Sequence, residues 1–160
     1  MENNTRNQLV EELIFLLEKG NAHVSFEEAC AGISPTLLNQ AVPGLPYTIW
    51  QLTEHVRIAQ WDIVEFCINP AHQSPQWPDE YWPPKEEQVD EKRWQATLAR
   101  IAADRNRFVG LLRDASLDLF APFGHGTGQS LYREALLIAD HGAYHTGQII
   151  LLRRLLHDWE

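Results

Sequence analysis

The sequence predicts an all-α fold, a four-helix bundle. Four long segments repeat their apolar residues every three or four positions, capping residues open them, and no stretch alternates as a strand does. At 160 residues the chain lies within the single-domain range. A chain of that size buries roughly 70% of its unfolded surface. One domain over 1–160, built on one core, is therefore expected.

The first helix is expected over 6–19, where Leu9, Val10, Leu13, Ile14, Leu16 and Leu17 form a broad apolar stripe and Gly20 supplies a C′ stop. Residues 21–45 read as short helices and loop, with Ser25 and Glu28 spaced for a capping box and Ser34-Pro35 suited to open another turn. Thr48 and Gln51 repeat the capping pattern, and no Gly or Pro interrupts the chain until Pro70, which predicts a second long helix over 49–68. Stepping by three and four, its inward face is Leu52, His55, Ala59, Ile63 and Phe66. A histidine thus interrupts an apolar stripe.

Residues 69–88 hold five prolines together with Trp77, Tyr81 and Trp82, a composition that breaks helices. Connections of that length are uncommon in compact domains and usually cover a site or cross a bundle. Trp94, Leu98, Ile101, Phe108, Leu111 and Leu112 predict a third helix over 89–117. The Gly- and Pro-rich segment 121–128 is a connector, and Ser130 caps a last helix over 131–157. That helix lines up Leu137, Ile138, His141, His145, Gln148 and Leu152 on one side.

Thirteen Lys and Arg against twenty-two Asp and Glu give a net charge of −9. Such a charge repels phosphate backbones and anionic lipid, so neither nucleic acid nor membrane is expected as a partner. No apolar run approaches the ~20 residues that cross a bilayer. Met1-Glu2-Asn3-Asn4 lacks the blocks of a signal peptide, which predicts a cytoplasmic protein. Cys30 and Cys67 form neither a CxxC pair nor a disulfide framework and read as small buried apolar residues.

His141 and His145 stand one helical turn apart, with Cβ atoms about 5–6 Å from each other, so both imidazoles reach one metal ion. The pair alone is a weak motif, because histidines at this spacing also arise in ordinary polar patches. His55 strengthens it: a third imidazole on the buried face of another helix is costly unless partnered, and metal ligation supplies the partner. A backbone carbonyl would also satisfy His55 taken alone.

Two stretches carry a family resemblance: Thr48-Ile49-Trp50-Gln51-Leu52-Thr53-Glu54-His55, and Ile138-Ala139-Asp140-His141-Gly142-Ala143-Tyr144-His145-Thr146-Gly147-Gln148. In these, and over nearly its whole length, the chain resembles the DinB-like superfamily. The resemblance implies an up-down-down-up bundle with 69–88 as the crossover between the second and third helices. It maps a three-histidine metal site onto His55, His141 and His145, with nickel or zinc foremost, and it implies a homodimer. Related enzymes carry out thiol-dependent transfers and isomerisations with bacillithiol, mycothiol or glutathione.

Three neutral imidazoles leave a divalent ion with an open position, the pattern of a catalytic site. With no thiolate among the ligands, iron and manganese also remain open by ligand type. Such an ion lowers the pKa of bound water, polarises a carbonyl, or holds a thiol as thiolate. The leading expectation is a metal-dependent transferase or hydrolase acting on a small molecule, with a low-molecular-weight thiol as a candidate co-substrate. The competing one is a noncatalytic metal-binding or stress-response module whose ion stabilises the bundle or a dimer.

Asp140 and Glu54 each adjoin a histidine, about 100° round the helix, and are expected beside the site. Glu134, two turns before His141, reads either as a base for bound water or as a solvated carboxylate in the helix's first turn. Gln148 reads as a donor to a bound ligand or as interhelical packing. Trp77 and Trp82 shape the mouth of the site or form a partner patch. His23, His72, His125 and His157 are expected in solvent, as are Asp104 and Arg105, while Arg153 and Arg154 complement the last helix's dipole.

Overall fold

The computed structural model describes residues 3–160, and Met1 and Glu2 of the N-terminal stretch read above lie outside it. The described residues form α1 (Asn3–Lys19), α2 (Phe26–Cys30), α3 (Pro35–Leu38), α4 (Ile49–Ile68), a 3₁₀ turn (Asp79–Tyr81), α5 (Glu91–Arg113) and α6 (Leu131–Leu155). The fold is all-α, with no strand among these residues. None of these helices is long and apolar enough to cross a membrane.

The caps set the boundaries. At the head of α4, Thr48 Oγ1 accepts from the Gln51 backbone N–H (3.2 Å) and Gln51 Oε1 accepts from that of Thr48 (2.9 Å). Ser25 and Glu28 close the same box ahead of α2. Gly20 ends α1 at φ +68°, a left-handed conformation glycine adopts without strain. The third long helix is shorter than the expected 89–117: Asp90 caps it from outside at 2.8 Å, and Asp114 turns the chain by accepting from Ser116.

The inward face of α4 is rotated from the expected one. Leu52, His55 and Ala59 are buried, but Val56, Gln60 and Val64 take the places expected for Ile63 and Phe66, which stay half-buried. Residues 49–56 are buried on every side, because α2, α3 and the start of α5 pack over these turns in one apolar cluster with Ile149 and Leu152. A second cluster joins Val10, Leu13, Val64, Phe108, Leu131 and Ile138. Leu137, expected inward, is exposed on α6.

Side-chain bonds give the helix directions. Glu54 meets Thr97, Gln60 meets the Ile101 carbonyl, and Glu65 meets Arg107, so α4 and α5 run the same way. His55 faces His141 while Val64 shares a cluster with Leu131 and Ala135, so α4 and α6 run oppositely. Arg6 donates to the carbonyls of Leu112, Asp114 and Leu117, tying the start of α1 to the end of α5.

Two solvent expectations fail because neighbouring elements cover the residues. Asp104 is buried and pairs with Arg107, and Arg105, half-buried, reaches Glu27 beside α2. Arg153 is buried too: it donates to the carbonyls of Ala29 and Ala31 at the end of α2 and pairs with Asp158.

Candidate metal centre

His55 sits in the second turn of α4, and His141 and His145 lie one turn apart in the middle of α6. The antiparallel pairing of these helices brings the three rings together. His141 Nε2 lies 3.0 Å from His55 Nε2, and one nitrogen from each ring falls within 4.8 Å of the others. Two nitrogens each about 2.0–2.1 Å from one ion stand about 3.0–3.4 Å apart, so the His55–His141 pair already has ligand spacing.

Hydrogen bonds orient two of the rings. His55 Nδ1 donates to the Tyr81 carbonyl oxygen (2.8 Å), and His145 Nδ1 donates to Gln148 Oε1 (2.7 Å). With the proton on Nδ1, each Nε2 presents its lone pair, as a metal ligand must. Burial lowers the pKa of all three imidazoles. His141 falls to about 3, with His145 and His55 adding to the effect. His145 is lowered by burial against the pull of Gln148, and His55 by burial against the Tyr81 carbonyl. All three are thus neutral near pH 7, the state a cation requires, and the residues fit a divalent ion.

Aromatic rings build the surroundings. Trp82 stacks flat on His55, with centroids 3.9 Å apart, and Tyr47 stacks on Trp82 at 4.2 Å. Trp77, 70% exposed, stands 6.4 Å from the His55 ring, and exposed Tyr144 meets His145 edge-on at 5.0 Å. Tyr47, Leu52, Gln148 and Leu151 help line an adjoining cavity of about 90 Å³.

The flanking carboxylates face elsewhere. Glu54 is buried against α5, with one oxygen bonded to Arg57 and the other to Thr97, and Asp140 is exposed. Glu134 is not solvated: it is buried, bonded to Arg133 at 2.6 Å, and burial raises its pKa. Gln148 accepts from His145, a role neither reading anticipated. His23, His125 and His157 are exposed, but the His72 side chain is buried against Asp62 at 2.7 Å. Cys30 is buried and Cys67 half-buried, and desolvation pushes both thiols up to about 12.

The orienting carbonyl of Tyr81 has no sequence signature, since any residue carries one. Asp62 had a usable signal: it lies seven residues, about two turns, beyond His55 on the same helix.

Fold and site together define an all-helical protein with a three-histidine cluster, buried at His55 and His145 and half-buried at His141, that is compatible with a metal ion. The family model described as the DinB superfamily matches residues 22–149, and the chain belongs to that superfamily. No curated protein and no solved structure matches it.

Proposed function

We propose that this protein is a metal-dependent enzyme of the DinB superfamily that holds one divalent ion on His55, His141 and His145. The observation that carries this is the convergence of three neutral imidazoles inside the bundle, two with Nδ1 already committed to an acceptor. An ion bound there keeps an open position and acts as a Lewis acid toward a carbonyl, a water or a thiol. Nickel or zinc fits the imidazole set best, with iron and manganese next.

The substrate is a small molecule, and the reaction is a transfer with a low-molecular-weight thiol as one reactant, or a hydrolysis with water in its place. Superfamily membership supports this, as does the apolar cavity beside Gln148. Trp77, Trp82 and Tyr144 would flank the bound substrate. Gln148 acts through His145. Glu134, a buried carboxylate with a raised pKa, is the candidate proton acceptor. The helix directions support an up-down-down-up bundle, with one domain over 1–160 and the connection 69–90 as its crossover. Exposed Leu137, Tyr144 and Leu151, seven residues apart along α6, offer a face for a cytoplasmic homodimer.

The test is elemental analysis of protein purified without added metal, followed by turnover with thiols and electrophiles, esters and amides. Near-stoichiometric metal and a turnover that His145→Ala lacks are expected. A noncatalytic module is the second reading, favoured by the way Trp82 covers one face of His55. In that case metal removal lowers the melting temperature, yet no small molecule alters the metal's spectrum.

A further inference from the structure

The connection between α4 and α5 grips α4 at two levels, and Tyr81 makes both contacts. Its carbonyl oxygen accepts from His55 Nδ1, and its hydroxyl donates to Asp62 Oδ2. His55 and Asp62 are seven residues apart, about 10.5 Å along the helix. The other oxygen of Asp62 accepts from His72 Nε2 at 2.7 Å. Both oxygens of one buried carboxylate are therefore engaged by the same connection, at residues 72 and 81. Trp82, the next residue along, is the ring that lies flat on His55.

A buried carboxylate without partners is costly, so Asp62 gives this Pro-rich stretch a strong reason to settle in one place. Ser74 also bonds the Tyr81 side chain, but the contacts to Asp62 and His55 are the ones that fix its side chain and its carbonyl to the same helix. We propose that Asp62 is a positioning residue for the metal centre: by holding Tyr81 and His72 it places the Tyr81 carbonyl on His55 Nδ1, which selects the Nδ1–H tautomer and turns Nε2 toward His141 and His145. This rests on the metal reading of the three histidines. Asp62 touches neither ion nor substrate; it acts only through Tyr81.

Asp62→Ala and Tyr81→Phe test it in the full chain, with Leu119→Ala as a reference that opens the core in the other apolar cluster. Zinc affinity is measured by competition with a chromophoric chelator. The His55 tautomer is read in metal-free protein by long-range NMR correlations to the ring nitrogens. Loss of such an orienting partner costs about 10–100-fold in metal affinity. That loss is expected for both Asp62→Ala and Tyr81→Phe, with mixed His55 tautomers, while Leu119→Ala lowers the melting temperature and changes neither readout.

If Asp62→Ala does not fold, Tyr81→Phe, which removes one hydroxyl, carries the test alone. Unchanged zinc affinity, or a His55 ring still wholly Nδ1–H, in the folded variants overturns the proposal. If the unaltered protein binds neither zinc nor nickel, the metal reading fails, and the tautomer comparison then decides by itself whether Asp62 positions His55.

Discussion

At His145, a single side chain decides which ring nitrogen is free. Gln148 Oε1 accepts the Nδ1 proton, and this leaves the lone pair on Nε2 free. Gln148→Ala removes that acceptor, so metal affinity is expected to fall about 10–100-fold. Gln148→Glu keeps an acceptor at the same place and should restore most of it, and titration calorimetry of the two variants with zinc checks both. Equal affinities for the alanine variant and the unaltered protein would show that the glutamine is only packing. The three histidines are legible in the sequence because helical spacing and an interrupted apolar stripe are one-dimensional signals. Their acceptors are harder to see. A backbone carbonyl at Tyr81 has no residue type, and Gln148 was open to two other roles. Glu134 and His72 look like surface residues in sequence, because what buries them comes from distant parts of the chain.

Among the elements, α4 is the most legible, since Thr48, Gln51 and Pro70 mark its ends and Ile49–Ile68 lies between them. Thr48→Ala takes away the hydroxyl that accepts from Gln51 N–H and should cost about 1 kcal/mol, read as a lower urea midpoint. Which face of α4 is buried was less legible, because α2 and α3, two short helices with little periodicity of their own, close over its first turns. The join between α2 and α6 depends on Arg153. Its guanidinium satisfies the carbonyls of Ala29 and Ala31 and pairs with Asp158, whereas at the end of α6 the residue looks like a dipole partner. Arg153→Met fills similar space but strands these acceptors. A loss of about 3 kcal/mol in urea unfolding is expected, well above the few tenths that a surface dipole contact would show.

Across the whole molecule, the histidines occupy the level between the two apolar clusters. Along α4 the order is Ile49 and Leu52, then His55, then Val64; along α6 it is Leu131 and Ile138, then His141 and His145, then Ile149 and Leu152. The middle of the bundle is thus held by three neutral polar rings, so its stability is expected to depend on pH and, on the proposed function, on metal. Burial holds all three imidazoles below the ordinary value of 6.5, and His141 at about 3. As pH falls through 6.5 the unfolded chain takes up protons that the native state refuses, so stability is present above that pH and is lost below it. A histidine held far below the window, as His141 is, contributes a slope approaching about 1.4 kcal/mol per pH unit, and His55 and His145 add to it in the same direction. The window between about pH 6.5 and pH 5 lies above the ordinary carboxylates, and buried Glu134, whose pKa is raised, acts in the opposite direction. Metal-free protein should therefore lose about 1.5 kcal/mol across this window in urea unfolding from His141 alone, while His141→Phe, which removes the most strongly shifted ring, should show a visibly smaller slope. Adding zinc near neutral pH should raise the melting temperature through mass action on the native state, and the gain should vanish toward pH 5 as protons compete for the same nitrogens. A metal-free protein whose stability is flat between these pH values would mean that the three rings are solvated, and that the bundle closes without them.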